Sequence, residues 1–366
     1  MKPIAVVPPW PRVHGNNALF EHPGFREWKT AAAARGFELL THDLCPPEQA
    51  TVLWCVDLSE SVLPLWAIRN ARRAGARLVL QILESPLVRP RSWVQGTHQF
   101  FERVLTYNPR HSNEAKYRRY RIPVALHAPT SGPAFASRRV AVMVNTNLRL
   151  NVAEIRSARH SRDHLATPLT IAGAVWDIWR AQRTELYSWR RRLARTAEDF
   201  PPGTLDIYGS GWRDLPGSHG EPGERDYDCA AKAPAIPAEI RNSRPGAFAP
   251  KQSLIAGYRF SIATENYRGD VGYISEKIFD PMLAGHVPVY LGDRQIESVV
   301  PKAAFVDARR FRTQHQLLDY LTACPEAEWL RMKQAGADWI QSRSAQQFSG
   351  AAFAATATRI LEEIVP

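Results

Sequence analysis

Short apolar runs alternate with amphipathic segments along most of the chain. Ile4–Val7 (IAVV) reads as a first strand. Phe25–Gly36 (FREWKTAAAARG) reads as a helix that a C-terminal glycine closes. Thr51–Val56 (TVLWCV) is a strand, Leu63–Ala76 a helix, and Arg77–Leu83 (RLVLQIL) a strand that runs into Glu84-Ser85-Pro86. Arg103–Asn108 (RVLTYN) is a further strand. Strands and helices in this alternation predict a parallel α/β sheet covered on both faces.

At His127–Arg139 the composition shifts to Pro, Ser, Gly and Ala, as in a linker. A second series then begins with Val140–Asn145 (VAVMVN). Tyr187–Phe200 reads as a helix, Thr204–Gly209 as a strand with a glycine turn, Trp212–Asp228 as a long polar loop, and Ala351–Val365 as a last helix. The segment Val175–Arg183 (VWDIWRAQR) reads as a helix whose tryptophans go to the core rather than to a cleft. The expected division is residues 1–135, residues 136–345 and a terminal helix in 346–366. Two open sheets place their ligand in a cleft beyond the carboxyl ends of the strands.

The chain has 366 residues, which suits two domains, and no apolar run of about 18 residues that would span a bilayer. Its first residues, MKPIAVVPPW, make a poor signal peptide and a good strand. Cys45, Cys55, Cys229 and Cys324 are scattered and form no C-x-x-C pair, so neither a disulfide framework nor a zinc site is expected. Reduced thiols fit a cytoplasmic protein. A net charge of +11 favours anionic partners: phosphates, nucleic acid or an acidic membrane face. No nucleic-acid-binding motif accompanies that charge, which speaks against nucleic acid.

The densest chemistry lies in Arg259–Gly292, RFSIATENYRGDVGYISEKIFDPMLAGHVPVYLG. Phe260–Ala263 can form a buried strand with Glu265 and Asn266 at its carboxyl end. Ser275 can cap the next helix and so places Glu276, Lys277 and free backbone N–H groups at one spot. A helix start attracts phosphate, and Lys277 adds a point charge to it. Glu276 offers two acceptor oxygens, enough for both hydroxyls of a ribose. Asp280 precedes Pro281, which removes one helical hydrogen bond. From the residues alone Glu265 could instead tie down a loop, Glu276 and Lys277 could form an exposed charge pair, and Glu84 reads first as a turn carboxylate bonding nearby backbone N–H groups.

This stretch resembles the signature of the α-1,3/4-fucosyltransferases of glycosyltransferase family ten: an aromatic-rich strand, Glu-Asn, a spacer, Tyr-Ile-Ser-Glu-Lys, then Val-Pro-Val and glycine. Val300–Phe311 is similar to the segment that follows. Leu83–Pro86 is similar to the short acidic motif of the family's first domain, and Tyr187–Leu193 to its arginine-bearing helix. Thr264 and Tyr267 depart from the usual aromatic and serine that flank Glu-Asn, which leaves room for a reshaped sugar pocket. The segment between Asn147 and Glu185 is longer than the family's.

The resemblance implies a GT-B architecture of two Rossmann-like domains, GDP-fucose as donor, inversion at the anomeric carbon, and a glycan acceptor held mainly by the first domain. It implies that Glu276 holds the ribose, and that Lys277 and Arg190, with Arg191 as the alternate, hold the pyrophosphate. Tyr273 would stack or bond near the donor, Glu265 and Asn266 would line the fucose pocket, and Glu84 would be the general base. Lys277, Arg190 and the helix start can stabilise the leaving diphosphate without a metal, so no metal or other cofactor is expected. The family's animal members carry an N-terminal membrane anchor and this chain shows none. That points to a bacterial, cytoplasmic enzyme acting on a surface glycan precursor, with peripheral contact to the inner membrane face through its basic surface. Two alternatives stand beside this reading. One is a transferase of the same fold with another GDP-deoxysugar, the other a basic protein that binds nucleic acid or an anionic polymer.

Overall fold

The computed structural model describes residues 1–10, 14–59, 62–111, 113–157, 168–209, 211–212, 253–269 and 271–365. In its first half the chain forms β1 (Lys2–Val7), α1 (Phe25–Ala33), β2 (Phe37–Thr41), β3 (Val52–Val56), α2 (Leu65–Arg73), β4 (Arg77–Gln81), β5 (Arg103–Thr106) and β6 (Tyr117–Arg119). The six strands make one parallel sheet in the order β2-β1-β3-β4-β5-β6. All five residues of β3 are buried, because apolar side chains cover this strand on both faces.

The second half contributes β7 (Arg139–Val144), α3 (Pro168–Thr184), α4 (Tyr187–Thr196), β8 (Leu205–Tyr208), β9 (Tyr258–Thr264), α5 (Glu276–Leu283), β10 (Val287–Leu291), β11 (Val306–Asp307), α6 (Gln314–Ala323), α7 (Glu326–Ile340) and α8 (Gly350–Ile364). Its strands are also parallel, in the order β11-β10-β9-β7-β8. The terminal helix α8 packs on the first sheet rather than the second. Phe353 lies 5.4 Å from Phe25 and 5.9 Å from Trp28, ring to ring, and Trp28 lies 4.5 Å from Trp54. Glu363 takes the guanidinium groups of Arg103 at 3.5 Å and Arg118 at 2.9 Å.

Two differences from the sequence reading have plain causes. β4 stops at Gln81 instead of Leu83, because the N–H groups of Leu83 and Glu84 turn to the Asp57 carboxylate, at 3.2 and 3.0 Å. The tryptophans of Val175–Arg183 do not enter the core. Trp176 and Trp179 stack on each other 4.8 Å apart and are 58% and 42% exposed, while Ala174, Ile178 and Ala181 supply the packed side of α3. The polar loop expected at Trp212–Asp228 lies outside the described residues after Trp212.

Candidate active site

Both sheets bring the carboxyl ends of their strands to a common cleft, the usual ligand position in open α/β sheets. On the first side, Asp57 follows β3, Glu84 follows β4 and Tyr107 follows β5. Glu84 is fixed by its main chain. Its N–H donates to Asp57 Oδ2 at 3.0 Å, and its carbonyl accepts from Trp93 Nε1 at 3.0 Å and from the Tyr107 hydroxyl at 3.3 Å. Its carboxylate is therefore held at the cleft. Burial raises the Glu84 carboxyl above the ordinary range, although Lys277 and the Tyr273 hydroxyl pull it back. Burial, reinforced by the Glu84 charge, pushes Asp57 up to about 7.

On the second side, the turn after β9 meets the start of α5. Ser275 is the N-cap of α5, and its hydroxyl accepts from the Lys277 backbone N–H. That hydroxyl also donates to Glu265 Oε2 at 2.7 Å, while the Ser275 N–H donates to Glu265 Oε1 at 2.8 Å. Lys277 Nζ sits 3.6 Å from Glu265, 3.4 Å from Glu276 and 3.1 Å from the Ser275 hydroxyl. Burial pulls the Lys277 ammonium down, but Glu276, Glu265 and Glu84 outweigh it and leave it raised, hence firmly cationic. Glu276 is exposed at the mouth of the helix start.

Tyr273 joins the two sides. Its hydroxyl donates to Glu84 Oε2 at 3.1 Å, and its ring lies 5.2 Å from that of Tyr107. Gly272 makes this approach possible. Its φ of 94° suits glycine, and a Cβ there would strike the Tyr107 carbonyl. The Gly272 N–H donates to Asp293 Oδ2 at 2.6 Å, so the loop after β10 holds the Tyr273 turn in place.

Arg190 on α4 is buried. Its Nε donates to Thr264 Oγ1 at 2.7 Å, and its Nη2 reaches the carbonyls of Thr264 and Glu265 at 2.6 and 2.9 Å and Asn266 Oδ1 at 3.0 Å. These bonds clamp the end of β9. Arg191 instead donates to the Leu148 carbonyl at 2.8 Å. The structure thus gathers Glu84, Arg190, Glu265, Asn266, Tyr273, Glu276 and Lys277 at one cleft, in two layers. Glu84, Glu276 and Lys277 have exposed surface, whereas Glu265 and Arg190 stand behind them. The two departures flanking Glu-Asn are buried as well. Thr264 is an acceptor for Arg190, and the Tyr267 hydroxyl accepts from Arg180 at 3.1 Å.

Sequence reasoning passed over Asp57, Tyr107 and Asp293. Each stands at the carboxyl end of a strand, one or two positions past its last residue, and that position was the available signal. The chain also carries one acidic triplet of D-x-D spacing, Asp226-Tyr227-Asp228. It lies outside the described residues, and it is the sequence feature that speaks for a metal-bridged diphosphate. Among the described residues, no group of three His, Cys, Asp or Glu side chains could hold a metal ion.

Two parallel α/β sheets whose carboxyl ends share a cleft define the GT-B class of glycosyltransferases. The sucrose-phosphate synthase of Thermosynechococcus elongatus has this fold, with a TM-score of 0.52 and 11% identity over 100% of this chain and 99% of that one. So does the Anabaena protein HepE in complex with UDP, with a TM-score of 0.50 and 13% identity over 99% of this chain and 100% of that one. Within the class, residues 240–334 match the model of the glycosyltransferase family 10 (fucosyltransferase) C-terminal region. It is 27% identical to α-(1,3)-fucosyltransferase C of Drosophila melanogaster over 157 residues, 40% of this chain and 30% of that protein. It is 27% identical to the α-(1,3)-fucosyltransferase FucT of Helicobacter pylori over 82 residues, 22% of this chain and 17% of that protein. An α-(1,4)-fucosyltransferase of Arabidopsis thaliana is 31% identical over 64 residues, 18% of this chain and 16% of that protein. The chain therefore matches less than a third of the length of each of these relatives.

Proposed function

We propose that the chain transfers L-fucose from GDP-fucose to a hydroxyl of a glycan acceptor, in α-1,3 or α-1,4 linkage and with inversion at the anomeric carbon. One observation carries this reading: a carboxylate from the first half, Glu84, meets Tyr273 at 3.1 Å beside the Ser275–Lys277 helix start of the second half. An inverting displacement needs that pairing of a base on one wall with an anion cradle on the other. Glu84, raised above the ordinary carboxylate range, takes the proton of the acceptor hydroxyl as that oxygen attacks the anomeric carbon. The bond to the diphosphate breaks, and its negative charge develops next to Lys277 and the N–H groups of α5. Glu276, exposed at the same helix start, accepts hydrogen bonds from the ribose hydroxyls.

Asn266, at the partly exposed end of β9, borders the sugar. Arg190 and Glu265 serve this arrangement from behind, Arg190 by clamping the end of β9 and Glu265 by fixing Ser275 and Lys277. The diphosphate is stabilised by these cationic and N–H groups without a metal. No described helix is long and apolar enough to cross a membrane. The basic surface, with a net charge of +11, suits contact with an anionic membrane face or a lipid-linked acceptor.

The test is a screen of GDP-fucose against a glycan array with mass readout, run with and without EDTA. A mass gain of one deoxyhexose that survives chelation supports the reading. Turnover abolished by EDTA and restored by manganese would overturn the metal-free step. No transfer from GDP-fucose, with transfer from another GDP-sugar, would change the donor.

A further inference from the structure

Beside Glu84 opens a cavity of about 490 Å³, within the usual size of small-ligand sites. One wall comes from the first half. It begins at Pro86 and Leu87, two and three residues past Glu84, and includes Trp93, whose indole N–H holds the Glu84 carbonyl. The other wall is α3 of the second half, with Trp176, Asp177 and Arg180, closed by Tyr267 next to Asn266. α3 is anchored to the donor side rather than loosely attached. The Arg268 N–H donates to the Thr184 carbonyl at 3.0 Å, the Leu186 N–H donates to the Asn266 carbonyl at 3.1 Å, and Arg180 donates to the Tyr267 hydroxyl.

The lining has the chemistry of carbohydrate recognition. Flat aromatic faces, here Trp93 and Trp176, accept the apolar C–H face of a pyranose ring. Polar groups stand beside them in the lining, namely Asn108, Asp177 and Arg180, and add hydrogen-bonding capacity for sugar hydroxyls. Trp176 stacks one face on Trp179 at 4.8 Å and leaves more than half its surface open, on the wall of the cavity. We propose that this cavity is a saccharide subsite for the acceptor glycan, with Trp176 as its stacking platform, so that α3 of the second half takes part in choosing the acceptor. This rests on the transferase reading above.

Ligand-observed saturation-transfer NMR on the full chain, saturated with GDP, tests it. The probes are disaccharides ending in galactose, glucose or N-acetylglucosamine. At least one should bind the parent, Trp176→Ala should weaken it roughly tenfold, and Trp176→Phe should keep most of the affinity. GDP affinity should be the same in all three proteins. Two results would overturn the subsite while leaving the donor reading intact: a parent that binds GDP but none of the disaccharides, or a Trp176→Ala variant within twofold of the parent. A parent that does not bind GDP would sink the transferase reading, and this inference with it.

Discussion

Glu84→Gln should abolish most of the turnover and leave the fold and GDP affinity in place. The side chains have nearly the same shape. The backbone bonds that position residue 84, from its N–H to Asp57 and to its carbonyl from Trp93 and Tyr107, do not involve the side chain. The Tyr273 hydroxyl, now 3.1 Å from Oε2, can donate to the amide oxygen instead. The stability change should therefore be no more than about 1 kcal/mol. The amide cannot accept the acceptor's proton, so kcat should fall by roughly 10²–10⁴-fold, ~2.7–5.5 kcal/mol of barrier. A pH profile adds a second readout. The base works deprotonated, so kcat/KM in the parent should fall as pH drops through a value above the ordinary carboxylate range, the direction of the Glu84 shift. That acid limb should vanish in the variant. The rival base is Asp57, held near 7 by burial and partly by the Glu84 charge. If Asp57 were the base, removing that charge would lower its pKa, and the limb would move to lower pH with turnover retained. Glu84→Gln turnover within tenfold of the parent, with such a shifted limb, would refute the assignment.

Two other perturbations probe the layers around the base. Asp57 holds its proton more tightly folded, at about 7, than an ordinary carboxyl at 3.8, so its stabilising contribution is complete below the lower value and is lost as pH rises through the higher. From pH 5 to pH 8 the parent should lose up to about 3 kcal/mol from this group, and Asp57→Asn should flatten the slope of urea stability against pH; equal slopes in the two proteins would show that Asp57 ionises normally. Lys277→Ala should weaken GDP binding by about 1.5–3 kcal/mol, the loss of one charge-assisted phosphate contact, as measured by calorimetry on protein first shown to be folded by its melting transition. That control matters because Glu265, 3.6 Å away and fully buried, loses its counter-charge. Unchanged affinity in a folded variant would remove Lys277 from the phosphate site.

Sequence by itself determined the alternation of strands and helices, the cap at Ser275, and the grouping of Glu276 and Lys277 at one helix start. These are local properties, set by contiguous apolar runs and by a hydroxyl next to free N–H groups, so they can be read without knowing where the chain goes. The family-ten likeness followed from the same stretch, since Arg259–Gly292 is continuous in sequence. Only the tertiary structure decided which of these groups face the cleft. Glu265 and Glu276 look equivalent along the chain, yet one is sealed under Ser275 and Lys277 and the other is exposed. Arg190 meets the end of β9 from 74 residues away, and Tyr273 meets Glu84 from 189. No local pattern encodes such pairings, because they depend on how two sheets and the turn at Gly272 close on each other. The same holds for α3. Its tryptophans have an apolar composition that suits a core, but the space against the first half was filled by Ile178 and Ala181, which left Trp176 at the cavity wall. Burial is settled by the side on which a helix finds its neighbour, and that neighbour is distant in sequence.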